Sequence, residues 1–537
     1  MNGVALLLNS IDTAWFPFTQ KRTTADFFKL ISTGDDVGNN IGRYLLDYWY
    51  LLFIWAGLLF IGVLLYRKTK NNASSFSLFK VPTRIIIFLV LTFCTLVFGR
   101  GGLQYKPLSI QSAVTAAGPA SIPLVLNTPF TIIKSFRDDP LPSTVYFTDK
   151  KADELFDPHQ RLSTTAEFTH QNVVEIILES FSYEYIGALT NGEGYTPFLD
   201  SLMKSSMVFT HAFANGKRSI EGIPAVVASI PPLMDEPFIT STWNANKINS
   251  LGSLLEPKGY SSAFFHGGTN GTMGFDNFSK LAGYKNYFGK NEYDGPASDY
   301  DGHWGIFDEP FYAFMIRKIN RMPLPFVATV FTLSSHHPYI IPDQYKGRFP
   351  KGKLPIFESI GYADHALQIF FKNASKQSWF ANTIFVITAD HTGEAENISY
   401  KNRYGMYRIP VVIYQPNHPA QIKNDFVFQQ TDLLPTILQL LHYNGDYSAY
   451  GQSAFAAVPF RWAVSYANSS WQLITSRYTL QFDGNVTTGL FDISNDPLLH
   501  NDIKNQLTDT LHRYEPVLKS IIQQYRQELL HNTILAH

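Results

Sequence analysis

The stretch YWYLLFIWAGLLFIGVLLY, residues 48 to 66, carries no charged side chain, and no other feature restricts the fold as much. A run of this length, once helical, matches the hydrocarbon thickness of a bilayer. In lipid a single segment can satisfy its own backbone only as a helix. A second run, IIIFLVLTFCTLVFG at 85 to 99, is shorter, but Arg84 and Arg100 flank it and can reach the headgroups. The expectation is two transmembrane helices, about 48–66 and 84–100. The composition agrees, with 15% aromatic against 16% charged residues. Between the runs lie Arg67, Lys68, Lys70, Lys80 and Arg84 with no acidic residue. The positive-inside rule puts that loop in the cytoplasm and everything after residue 100 outside it. This predicts a multi-pass protein of the cytoplasmic membrane with an extracytoplasmic domain. The opening MNGVALLLNS is too short to span and lacks the basic start of a signal peptide; it reads as the tail of a further helix.

Two function classes drop out early. A net charge of −1 gives no electrostatic footprint for nucleic acid. The single cysteine, Cys94, lies inside the second apolar run, so neither an intramolecular disulfide framework nor a cysteine-rich zinc site can form.

A chain of 537 residues exceeds one compact core. We divide it into a membrane region (1–100), a polar linker and surface arm (101–165), a catalytic domain (166–460) and a C-terminal subdomain with a helical tail (461–537). In the third part apolar runs alternate with helical patterns: VVEIIL then TPFLDSLMKS, SSAFFH, FVATVFTL then a helix near 357–375, TIFVITA, and PVVIY then DLLPTILQLL. That alternation predicts an α/β domain with a mainly parallel sheet and helices on both faces. Alternating residues after 460 predict a small antiparallel sheet.

In parallel sheets functional groups gather at the carboxyl ends of the strands. Glu179 follows VVEIIL, His266 follows SSAFF, His336 and His337 follow FVATVFTLSS, and Asp390 with His391 follows TIFVITA. Four strands therefore end in acid or imidazole. Glu179, Asp390 and His391 offer two carboxylates and an imidazole, a set suited to one divalent ion, Mn²⁺ foremost with Mg²⁺ or Zn²⁺ as alternatives. The Asp-His pair can share that ion only if the chain bends after the strand, which we attribute to the following Thr-Gly. Three protein ligands leave an open position. Ser219, in NGKRSIEGIPAVVASIPP, precedes a helix start and follows Lys217 and Arg218. A divalent ion, a helix N-terminus and nearby cations all favour loss of its hydroxyl proton and approach of an anion.

In order, NVVEIILES, GKRSIEGIPAVVASIPP, FFHGGTNGTMGFDNF, HWGIFDE, TLSSHHPY, TADHTGE and YRIPVVIYQP resemble the extracellular domain of lipoteichoic acid synthases and related phosphoglycerol transferases, members of the alkaline phosphatase and sulfatase superfamily. The resemblance covers roughly residues 165 to 460. It implies a metal site of Glu179, Ser219, Asp390 and His391, with Ser219 as nucleophile. It further implies a substrate-phosphate role for His336, and a place near the headgroup for His266 and Asp276. Lys217 and Arg218 are expected to meet substrate as well. The implied activity moves a phosphoglycerol unit from a phospholipid such as phosphatidylglycerol to a glycan or glycolipid acceptor through a covalent serine ester. Two departures bear on it. The nucleophile is serine where those synthases use threonine, and Met273 and Phe275 stand where they carry a Trp and an Arg. A phosphoethanolamine transferase, or a hydrolase of the sulfatase or phosphodiesterase type, is the alternative.

Overall fold

The computed structural model describes residues 2–19, 22–25, 27–28, 46–71, 80–100, 122–135 and 145–535. The chain divides into two compact units, one of residues 1–25 and 40–138 and the other of 26–39 and 139–537.

The described residues of unit one are mainly helical. Trp49–Asn71 and Val81–Arg100 are long and apolar enough to cross a membrane, over Trp49–Thr69 and Val81–Gly99. Both are apolar around their circumference and almost wholly exposed; Phe98, for example, is 83% exposed. Such a surface is stable only against lipid or another protein. The opening residues belong to a helix, Asn2–Thr19, that packs against the first of these: Trp55 Nε1 donates to the Gly3 carbonyl at 2.8 Å. Much of the predicted linker, 101–121 and 136–144, lies outside the described residues.

Among the described residues unit two holds three sheets. The strands are β1 (His159–Leu162), β2 (Asn172–Leu178), β3 (Met207–Phe213), β4 (Ser261–His266), β5 (Asn286–Phe288), β6 (Phe326–Phe331), β7 (Thr383–Ala389), β8 (Val411–Tyr414), β9 (Ile422–Gln429) and β10 (Gly445–Ser448). Eight form the main sheet in the order β5-β4-β6-β2-β7-β8-β3-β9. All neighbours are parallel except β8, which runs antiparallel between β7 and β3. Every residue of β2, β6 and β7 is buried, which is why these strands read as mostly apolar runs rather than alternating ones. β3, β5 and β9 were not among the predicted strands. β3 (MVFTHAF) and β9 (IKNDFVFQ) carry polar residues at half-buried positions, so neither has the continuous run that marks a central strand.

The arm before the domain is more ordered than its polar composition suggests. Asp149–Leu155 is a helix, and β1 pairs with β10. Ala152 is fully buried and its carbonyl accepts from Ser520 Oγ at 2.7 Å, so tertiary contact with the C-terminal helix Thr508–His531 orders a segment that propensity alone would not. β11 (Ala463–Ala467), β12 (Ser470–Ile474), β13 (Tyr478–Phe482) and β14 (Thr487–Asp492) form the antiparallel meander.

Candidate metal and nucleophile site

The strand order puts β4, β6, β2 and β7 side by side and parallel. The residues that follow them therefore emerge along one continuous stretch of sheet edge. Glu179 and Asp390 are the first residues after β2 and β7, neighbouring strands in register through Leu178 and Ala389. One ligand atom from each of Glu179, Asp390 and His391 lies within 4.8 Å of the others.

Backbone geometry turns these groups inward. Ser180 takes a left-handed conformation, φ 60°, that ends β2 abruptly. Its N–H donates to Asp390 Oδ1 at 2.9 Å and its hydroxyl to Glu179 Oε1 at 2.5 Å. Asp390 Oδ1 also takes the His391 N–H at 2.7 Å, and this local bond makes the bend after β7. Gly393 contributes by size rather than flexibility. A Cβ there would lie 2.7 Å from Tyr185 Oη and 2.9 Å from the Ser180 carbonyl oxygen, so only glycine lets the two strand-end loops meet.

Ser219 opens the helix Ser219–Ala228 and is buried. Its hydroxyl stands 3.3 Å from Glu179 Oε2 and 3.3 Å from His391 Nε2. The helix sits this close because of Gly222, where a Cβ would fall 2.1 Å from the Asp390 carbonyl oxygen. Gln430 Nε2 braces the same turn from the other side, donating to the Ala389 carbonyl at 2.8 Å and the Asp390 carbonyl at 2.7 Å. Neither Gly222 nor Gln430 was a sequence candidate: close approach and bracing leave no local signature.

These residues fit a divalent cation. His391 Nδ1 faces the Thr392 carbonyl at 2.9 Å. A carbonyl only accepts, so Nδ1 carries a proton, and in the neutral tautomer that a metal ligand requires the Nε2 lone pair faces Asp390 Oδ2, 3.2 Å away. Asp390 Oδ2 is buried with no hydrogen-bond donor. Burial, and then the Asp390 charge, push the Glu179 carboxyl well above the usual carboxylate range. Two carboxylates and a lone pair converging out of water repel one another unless a cation lies among them.

The other candidates divide. His336 follows β6, and its electrostatic neighbours are His337, His391 and Asp390; burial above all lowers its pKa to about 4. His266 is fully buried, stacked on Phe331 and edge-on to Phe275, with Nε2 lacking a partner; burial lowers its pKa to about 4. Lys217 reaches the cluster, but its ammonium donates to Thr392 Oγ1, to the Thr392 carbonyl at 3.2 Å and to the Met406 carbonyl at 3.4 Å. Those are three acceptors for three protons. Burial brings its pKa down to about 8. Arg218 holds Glu221 through Nε and Nη2 at 2.9 and 2.6 Å. Both cations thus brace the chain beside Ser219. Asp276 lies in the first turn of Phe275–Leu281, taking the Asn277 N–H at 2.8 Å. Among the described residues it makes no hydrogen bond or ion pair with the cluster.

Fold and site together define an α/β enzyme in which a buried hydroxyl at a helix start meets a carboxylate–imidazole cluster able to hold a metal ion. The chain belongs to the sulfatase family, whose model matches residues 171–443. A protein of the alkaline phosphatase superfamily from Vibrio parahaemolyticus superposes with a TM-score of 0.64 at 22% identity, over 73% of this chain and 98% of that one. The lipoteichoic acid synthase LtaP from Listeria monocytogenes gives 0.59 at 18% identity, over 73% and 99%. Among curated proteins, lipoteichoic acid synthase 1 of Bacillus subtilis is 28% identical over 306 residues, 50% of this chain and 45% of the synthase. A Staphylococcus aureus lipoteichoic acid synthase is 23% identical over 500 residues, 84% of this chain and 74% of the synthase. The chain spans about half the length of the Bacillus relatives it matches.

Proposed function

We propose that this protein is a membrane-anchored phosphoglycerol transferase, with its catalytic domain on the outer side of the cytoplasmic membrane and a glycan or glycolipid as acceptor. One observation carries the chemistry: the Ser219 hydroxyl stands within 3.3 Å of both Glu179 and His391 at the start of a buried helix. The resemblance of the curated relatives, lipoteichoic acid synthases, supports the choice of donor and acceptor. The basic residues between the two apolar helices support the orientation.

Glu179, Ser219, Asp390 and His391 would hold one divalent ion, Mn²⁺ by preference. When bound, that ion supplies Lewis-acid stabilisation of charge on the phosphate and lowers the pKa of a coordinated hydroxyl. The rest falls to the chain. Ser219 Oγ forms a bond to the donor phosphorus as the bond to the diacylglycerol oxygen breaks; the serine proton is lost and the departing oxygen gains one. An acceptor hydroxyl then attacks the phosphoserine, giving up its proton, and Ser219 leaves and is reprotonated. The N-terminus of Ser219–Ala228 stabilises negative charge at this position throughout. Lys217 holds the Thr392 loop, and with it the His391 carbonyl partner, in place.

One observation favours a second headgroup. Phe275 is buried against His266 and Phe331, and the resemblance sets it, with Met273, where the synthases carry Trp and Arg. A phosphoethanolamine or other zwitterionic headgroup would not need that missing cation. Detergent-solubilised protein given Mn²⁺ and fluorescent phosphatidylglycerol should release diacylglycerol and acquire a phosphoglycerol mass on Ser219; Ser219→Ala should do neither. Turnover of phosphatidylethanolamine alone would establish the second reading instead.

A further inference from the structure

The loop holding His336 contains an unusual junction of two donors at one acceptor. The His337 carbonyl oxygen faces Trp304 Nε1 at 2.6 Å and His336 Nδ1 at 2.9 Å. The Trp304 ring also lies against the His336 ring, centroids 4.2 Å apart and planes at 54°. A carbonyl has lone pairs and no proton, and an indole nitrogen only donates. The His336 Nδ1 must therefore carry hydrogen for this arrangement to be attractive. In the neutral imidazole that leaves the proton off Nε2.

Trp304 is itself well held. Asp301 Oδ1 accepts the N–H groups of His303, Trp304 and Gly305 at 2.7, 2.9 and 3.0 Å. Gly305 packs so closely on the strand-end loop of β4 that a Cβ would lie 2.3 Å from the Gly267 carbonyl oxygen. Asp308 Oδ1 takes the Leu333 and Ser334 N–H groups at 2.9 and 3.1 Å, latching the 301–308 loop to the loop after β6. The indole is thus an anchor, and the His336 loop is fastened to it through the peptide oxygen of the next residue.

We propose that Trp304 is a positioning residue that, through the His337 carbonyl, locks His336 in its Nδ1–H tautomer and so makes Nε2 a proton acceptor toward a substrate hydroxyl. The burial that lowers the His336 pKa keeps the ring neutral near pH 7 and agrees with this assignment. The tautomer also sets a preference for the ligand: neutral Nε2 repels an unprotonated phosphoryl oxygen and attracts an O–H. A histidine expected to grip phosphate is thereby assigned to the acceptor hydroxyl, whose proton must leave as its oxygen attacks the phosphoserine. This chemical role rests on the transferase reading; the tautomer assignment does not.

The test uses the full chain in detergent with nitrogen-15-labelled histidine, the His336 signals being identified by their loss in His336→Asn. The native protein should show the shift pair of an Nδ1–H imidazole. Trp304→Phe, which keeps an aromatic ring but has no N–H, should shift His336 toward a tautomer mixture. It should also lower kcat on the order of tenfold with little change in KM, as expected for a proton-transfer group held less well. Trp304→His, with a ring N–H, should recover part of both. An Nε2–H signature in the native protein overturns the proposal even if no variant folds, and so does an unchanged tautomer in a folded Trp304→Phe. A native protein that shows the Nδ1–H signature yet transfers no headgroup supports the positioning role and counts against the transferase reading alone.

Discussion

At the residue scale, the site joins groups that water would keep apart. Asp390 Oδ2 is buried without a donor, and Glu179 resists ionisation because it is buried beside Asp390. Asp390→Asn replaces one carboxylate by a neutral amide and should lower Mn²⁺ affinity at least tenfold, measured by titration calorimetry on chelator-stripped protein. A second buried acid, Glu175 in the middle of β2, has a different role. It accepts from Thr329 Oγ1 at 2.6 Å and Tyr284 Oη at 3.3 Å, and burial raises its pKa to about 7. The folded chain therefore retains a proton that the unfolded chain releases near pH 4.5. Stability contributed by this group is present below that pH and lost as pH rises toward 7. Glu175→Gln keeps an acceptor for both hydroxyls and cannot ionise. It should gain roughly 1–3 kcal/mol over the native protein at pH 8 and much less at pH 5, read from urea melts at the two values.

At the element scale, helix Ser219–Ala228 is decisive, since its start carries the proposed nucleophile and its fourth residue, Gly222, lies against the Asp390 backbone. Alanine is the better helix former by about 1 kcal/mol, yet its Cβ at 2.1 Å from the Asp390 oxygen forces the helix outward. Gly222→Ala should therefore reduce kcat by about 100-fold, the scale expected for a displacement near 1 Å, and melting should show net destabilisation rather than a gain. The loop holding Lys217 follows β3, an element absent from the predicted strands. β3 lies between β8 and β9 and brings the 214–219 segment to the end of the sheet that β2 and β7 share. Its half-buried Thr210 and His211 interrupt the apolar run that betrays the central strands.

At the scale of the whole molecule, the catalytic unit is closed by its own ends. Glu528, on the C-terminal helix, accepts from Tyr450 Oη at 2.8 Å and pairs with His159 Nε2 on β1, also at 2.8 Å. Three distant stretches of chain meet at one carboxylate. Glu528→Ala strands the buried Tyr450 hydroxyl and should cost about 2–3 kcal/mol of unfolding free energy, with kcat of the folded fraction unchanged because the network lies outside the metal cluster. Glu528→Gln, which still accepts from Tyr450, should recover about half of that loss. The other unit carries two helices long and apolar enough to cross a membrane, so fractionation should find the full chain with the lipid.

By itself the sequence determined the element types and the donors: buried parallel strands demand continuous apolar runs, and polar groups placed just past them must belong to a strand-end loop. Glu179, Asp390 and His391 are legible for that reason, and Ser219 for its place before a helix. Only the tertiary structure decided which of those ends adjoin, because strand order depends on pairing between segments hundreds of residues apart. It also decided the supports. Gly222, Gly393 and Gln430 act through close approach and bracing across the chain, and the Lys217 ammonium is engaged by Thr392 and Met406, groups that no local spacing names. A carboxylate's chemistry is written in its own residue, but its burial, partners and charge state come from whatever else the fold packs around it.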